Sequence, residues 1–149
     1  MATFTDYTDS DNGAQALERI GGEVTVEELD VDFSVFNVGA GDIVQLFNVA
    51  EGDILLSISA QVYTAEGAVG TGDIGITTVD PNGLVDALDF NVADVTTSSI
   101  SGTDALIGYK VTADDTIDLV TDHAIDAAKV GFRLVKAVGN PSPASDVLS

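Results

Sequence analysis

The chain has no cysteine and no tryptophan, a single histidine, a single methionine and only three prolines. Each shortage removes a class of chemistry. Without cysteine there is no disulfide, no thiolate nucleophile and no Cys-based zinc site, and the redox compartment leaves no mark on the composition. Without tryptophan, a sugar-stacking platform would fall to Tyr7, Tyr63 or Tyr109. The lone His123 stands beside Asp122, and no Gly-x-Ser-x-Gly elbow accompanies it, so it reads as plain surface rather than a catalytic base. Basic residues are scarce as well: 5 against 25 acidic ones, for a net charge of −20. No basic stripe could neutralise phosphates, so nucleic acid is not expected as a partner, and an anionic membrane would repel this surface. No run approaches the ~18 apolar residues of a membrane span. The start, Met1-Ala-Thr-Phe-Thr-Asp6, has neither a basic nor an apolar region and does not read as a secretory signal.

What is present is alternation. In Asp53-Ile-Leu-Leu-Ser-Ile-Ser-Ala-Gln-Val-Tyr63, the residues Ile54, Leu56, Ile58, Ala60 and Val62 recur at every second position. That period belongs to a strand with one buried face. The pattern returns at Leu29/Val31/Phe33/Val35 and at Val130/Phe132/Leu134. Strands are expected near 23–27, 29–37, 43–49, 53–63, 72–78, 84–90, 105–111, 116–121 and 128–138. Gly, Asn and Asp mark the breaks, including Gly39-Ala-Gly-Asp42, Ala50-Glu-Gly-Asp53 and Asp80-Pro-Asn-Gly83, the last read as a β-turn. Gly-Asp-Ile recurs at 41–43, 52–54 and 72–74 as a turn-into-strand device. The stretch 122–128 is read as a connection. The fold class expected is all-β: an antiparallel β-sandwich of jelly-roll type, preceded by an extended N-terminal arm. The domains expected are an arm over 1–22, a sandwich over 23–138 and a flexible tail over 139–149. Within the arm, 13–20 could form two helical turns, closed by Gly21-Gly22.

Candidate chemistry is thin. With 25 acids, some carboxylate pair lies at glycosidase spacing by chance, so such pairs carry no information. Asp6 to Gly13 is acid-dense but lacks calcium-loop spacing. Asp80, Asn82, Asp86, Asp114 and Asp115 offer oxygen donors but belong first to turns and strand starts. No metal, no cofactor and no catalytic residue is expected. Lys129, Arg133 and Lys136 fall together in the last strand, and read as scattered, solvated edge charge in preference to partners of an acidic neighbour. Phe4, Tyr7, Leu17, Arg19 and Ile20 are the apolar and cationic groups of an otherwise polar arm; they either anchor it to a partner surface or cover one end of the chain's own sandwich. Such a segment orders on binding.

Several segments together suggest a family: Thr8-Asp-Ser-Asp11, Leu17-Glu-Arg-Ile-Gly-Gly-Glu23, Asp32-Phe-Ser34, Gly41-Asp-Ile-Val-Gln-Leu-Phe-Asn-Val49, Glu51-Gly-Asp-Ile-Leu-Leu56, Val62-Tyr-Thr-Ala-Glu-Gly67, Ala113-Asp-Asp-Thr-Ile-Asp-Leu119 and Ala128-Lys-Val130. Over roughly residues 8–136 the chain resembles small virion structural proteins of tailed, particularly marine, bacteriophages, of the head decoration or cement type. The resemblance implies a non-enzymatic β-sandwich on the outer face of a phage head, in the virion after synthesis in the host cytoplasm. It implies contact with the major capsid protein and with copies of itself as a homo-oligomer, bridging capsid subunits, with Phe4, Tyr7, Leu17, Arg19 and Ile20 of the arm as the expected contacts to capsid or neighbouring subunit. At 149 residues the chain is too short for a typical major capsid protein. The alternatives are a tail-tube or head–tail joining protein, or a virion-displayed module that binds host glycan.

Overall fold

The computed structural model describes residues 23–94, 96–99 and 105–139, with only the backbone described over 96–99. Eight strands follow in order: β1 (Val24–Asp32), β2 (Ile43–Val49), β3 (Ile54–Thr64), β4 (Thr71–Ile76), β5 (Asp80–Asp89), β6 (Thr96–Ser99), β7 (Asp115–Thr121) and β8 (Lys129–Ala137). They form two four-stranded sheets, β1-β8-β3-β6 and β2-β7-β4-β5. Every pairing is antiparallel.

The topology has a simple rule. β1 pairs with β8, β2 with β7, β3 with β6 and β4 with β5. The first four strands therefore lie against the last four like one long hairpin. Rolling that hairpin up adds β3 beside β8 and β4 beside β7. This is the jelly roll, in which two Greek keys close a sandwich.

The core lies between the sheets. Val130, Phe132 and Leu134 of β8 are almost wholly buried, as are Ile58, Ala60 and Val62 of β3 and Ile117 and Leu119 of β7. Phe33 meets Phe90 edge-to-face, with ring centroids 5.8 Å apart at 83°. The gain from such contacts adds to simple area burial.

The turns into β2 and β3 are one device used twice. Gly41 and Gly52 take φ of 84° and 95°. In each, the Asp after the glycine donates its N–H to the carbonyl three residues back, as in Asp42 to Gly39 and Asp53 to Ala50. Its carboxylate in turn accepts the N–H of that same residue, at 2.7 Å for Asp42 and 3.0 Å for Asp53. Positive φ at the third turn position is the signature of a type II turn. The third Gly-Asp-Ile differs. Gly72 lies within β4, where an added Cβ would sit 2.9 Å from the Val120 carbonyl oxygen.

Several expectations need correction. The first two expected strands are one, β1, and it ends at Asp32; a turn follows, leaving Val35 84% exposed. No strand covers 105–111, which makes turns and a single bridge from Lys110 to Ile54. The strand in that region is β6, a run of Thr and Ser with no apolar alternation to reveal it. Asp80-Pro-Asn-Gly83 is not a turn. The reversal is at Thr77–Val79, closed by Val79 N–H to the Ile76 carbonyl, and Pro81 lies in β5. β5 is an edge strand, where a proline costs no ladder hydrogen bond. In β3, Ile54 is only half-buried and Leu56 is 38% exposed, because a bulge between Leu55 and Ser57 shifts the phase and buries Leu55 instead.

Candidate functional site: the outer face of the β1-β8-β3 sheet

β1 carries Glu27, Glu28, Asp30 and Asp32, and β8 carries three of the five basic residues of the chain. Antiparallel register places Asp32 opposite Lys129 and Glu28 opposite Arg133. The ion pairs follow: Lys129 to Asp32 at 3.5 Å, Arg133 to Glu28 at 2.8 Å and Lys136 to Glu27 at 3.4 Å. The basic residues of the last strand are thus partners of an acidic neighbour, against the expectation of scattered edge charge. Ser34 N–H and hydroxyl, together with Lys129, hold the Asp32 carboxyl below its ordinary pKa.

Lys136 is different from the other two: it continues the inward series Val130, Phe132 and Leu134, and its partner Glu27 lies opposite Leu134, so this pair sits at the inner margin of the sheet. The Lys136 side chain is 11% exposed and also lies 3.2 Å from Asp53, which is nearly buried. It donates to the Asn48 carbonyl at 3.1 Å as well, so one ammonium joins β1, the end of β2 and the start of β3. Burial alone would raise the Asp53 pKa. Donors from Ala50, Gly139 and Lys136 outweigh it and hold that carboxyl low. Beside this point, the edges of β1 and β2 leave an open cleft of about 420 Å³, lined by Glu27, Asn48, Ala50, Asp114, Asp115 and Lys136. Among the described residues it holds no pairing of nucleophile and base.

On the outer face itself, Tyr63 lies across Gly131, where an added Cβ would come within 2.8 Å of its ring. A polar groove of about 110 Å³ opens there, lined by Glu28, Asp30, Ser59, Gln61, Tyr63 and Arg133. That is below the ~300–1,000 Å³ of a small-molecule pocket. Toward the other end the face turns apolar. Val24 and Val26 are 63% and 57% exposed, and their partners across the ladder are Ala137 and Val135. Ile54 and the bulged Leu56 continue the patch on β3.

The residues weighed for chemistry are dispersed. His123 is exposed; its Nδ1 lies 3.3 Å from the Thr71 hydroxyl, which donates to Asp122 at 3.1 Å. No further group orients that ring among the described residues. Asp80 opens β5, Asp86 lies near Asp73, Asp114 accepts the Glu51 N–H and Asp115 accepts the Thr78 hydroxyl. Among the described residues, no three His, Cys, Asp or Glu side chains are arranged to hold a metal. Burial and the nearby Asp122 and Asp86 push the Asp73 carboxyl up. Phe4, Tyr7, Leu17, Arg19 and Ile20 lie outside the described residues.

One buried carboxylate has no forewarning in the sequence. Glu66 accepts N–H bonds from Asp126, Ala127 and Ala128 at 2.8, 3.0 and 2.8 Å. Burial would raise its pKa, but the three donors hold it below the ordinary value. It pins the loop before β4 to the connection before β8.

No protein-family model matches the chain, and no curated protein matches it in sequence. Its fold, however, recurs in solved structures of phage capsids. A chain from the capsid of Ralstonia phage GP4 superposes with a TM-score of 0.59 at 19% identity, covering 85% of this chain and 95% of that one. A chain from the acid-stable capsid of Helicobacter pylori bacteriophage KHP30 gives 0.59 at 14% identity, with 83% and 92% covered. One from the capsid asymmetric unit of cyanophage Pam1 gives 0.56 at 16%, with 79% and 86% covered. The jelly roll is shared; at these identities the likeness is one of fold. The paired coverages also mean that all three matched chains are slightly shorter than this one.

Proposed function

We propose that the protein is an accessory capsid protein of decoration or cement type, which binds the outer surface of a phage head and bridges its subunits without catalysing a reaction. The observation that carries this reading is the match to three phage-capsid chains over nearly their full length, all of them as small as this one. A small chain that adds to a shell, rather than forming it, fits that size. The outer sheet face supports the same reading: ion-paired rungs, a groove below small-molecule size and an apolar patch make a surface for contact, and the larger cleft at its margin pairs no nucleophile with a base among the described residues. In this reading the partners are the major capsid protein and further copies of this chain, and Phe4 and Tyr7 of the arm contribute contacts to the shell.

The test is direct. Purified protein is added to heads assembled without it, and the particles are imaged by electron cryomicroscopy and challenged by heating. Added density on the outer face and a raised temperature of DNA release are expected. Density confined to the tail or the portal vertex, or no binding at all, would refute the reading.

A further inference from the structure

We infer that the apolar end of the outer sheet face is a receptor for the N-terminal arm of a second copy of this chain, which seats Leu17 and Ile20 there. The inference rests on the capsid reading only in that copies stand side by side. Two rows of the ladder define the receptor. Val24, Ala137, Ile54 and Lys110 are successive partners across four segments, and Val26 and Val135 form the next row, with Leu56 beside them. Six part-covered aliphatic side chains expose on the order of 300 Å², in the range of functional apolar patches but well under the ~800 Å² per partner of a standard interface. The patch is therefore too small for a second sandwich packed face to face. It is the right size for the two helical turns that residues 13–20 could form once docked.

Charge agrees. Lys129, Arg133 and Lys136 are all spent on carboxylates of their own chain. Lys110 is the basic residue with no ion pair among the described residues, and it borders the patch. The arm brings Glu18 beside Leu17, and Asp6, Asp9 and Asp11 farther out.

Geometry favours the arm of another copy over the chain's own. Residue 23 leaves at the border of the patch, in line with β1, with its carbonyl held by the Val138 N–H at 2.7 Å. To cover its own face the chain would have to reverse and climb ~10 Å above the sheet within Gly21 to Glu23, which is the full reach of three extended residues. A partner's arm has no such constraint. Twenty-two residues span up to roughly 75 Å when extended, far beyond the ~35 Å of the longest strand here.

The chain has no cysteine, so the test is clean. Full-length Leu17→Cys and Val26→Cys variants are made separately, mixed in equal amounts and treated with a short bismaleimide. Crosslinked heterodimers joining residues 17 and 26, identified by mass spectrometry, are the expected result. Leu17→Ser/Ile20→Ser should weaken self-association about 100-fold in analytical ultracentrifugation, with circular dichroism unchanged. Crosslinking of the Leu17→Cys/Val26→Cys double variant only within single chains would overturn the inference and give the site to the chain's own arm. Oligomers without any 17-to-26 product would overturn it too, by placing the contact elsewhere. Head binding, measured separately on the same variants, tests the capsid reading independently of either outcome.

Discussion

Phe132 shows what a single residue contributes. It is 1% exposed between the two sheets. Phe132→Ala should cost about 3–5 kcal/mol, read as a fall in the urea midpoint at unchanged slope. Glu66 acts through polarity instead. Its depressed pKa means that the folded state binds fewer protons than the unfolded one, so its stabilisation is fully present above the ordinary glutamate pKa and is lost as pH falls through the lowered value. Glu66→Gln keeps the size but loses the charge, and one of its two polar atoms becomes a donor facing donors. We expect a loss of about 1–3 kcal/mol at neutral pH and a flatter decline of stability in acid. An unchanged acid limb in a pH series of urea melts would show that the three N–H bonds do not tune that carboxyl. Nothing in Ala65-Glu66-Gly67 announces this role. A buried glutamate and an exposed one are the same letter, and its three donors lie sixty residues away. Phe132 was legible because alternation depends only on near neighbours.

At the scale of elements, the β1–β8 ladder carries its own register. A slip of two residues would preserve which face is buried but would break the pairing of Asp32 with Lys129 and of Glu28 with Arg133. The two exposed pairs are each worth little, because solvent screens them and ordering two long side chains offsets the attraction. Lys136 differs because its head group is nearly buried against Asp53. Lys136→Met should cost about 3 kcal/mol, whereas Lys129→Met should be close to neutral. Adding Asp53→Asn to Lys136→Met should recover part of the loss in a double-mutant cycle; strict additivity of the two would show that they do not interact. The sequence made most of these strands visible, and β2 agrees with its expected limits to the residue. Of the places where it misled, three have plain physical reasons. Ile54-Leu55-Leu56 is apolar in both phases, so a bulge there leaves no trace in the pattern. Thr96–Ser99 lacks apolar residues because β6 is a short edge strand. Asp80-Pro-Asn-Gly83 has turn composition but sits where an edge strand tolerates it. The apolar receptor patch was hidden for the same reason as the bulge. Val24, Val26 and Val135 look like core until the ladder shows which way each one faces.

For the molecule as a whole, a net charge of −20 on a small sandwich is the dominant long-range term. Like charges destabilise the compact state and oppose association of copies, and salt screens both effects, with a Debye length near 10 Å at 0.1 M and ~3 Å at 1 M. The melting temperature and the extent of self-association should both rise from low salt to half-molar NaCl. A flat response in scanning calorimetry would remove electrostatic repulsion from the account. A response to calcium at matched ionic strength, without one to NaCl, would point to a cation site instead.

The hairpin rolled into this fold has a mechanical consequence. Val24 and Ala137 are direct partners, so the first and last strands begin and end at one corner of the sheet. Tension applied between residues 23 and 138 pulls across the ladder and opens it one rung at a time, like a zipper. Tension that enters at residue 23 and leaves at the far end of β8, near Lys129, runs along the strands and loads every β1–β8 hydrogen bond together. The same domain is therefore compliant to one pull and stiff to the other. A shell that strains under pressure would be reinforced only if the arm and the Lys129 end of the sheet were fastened to different neighbours.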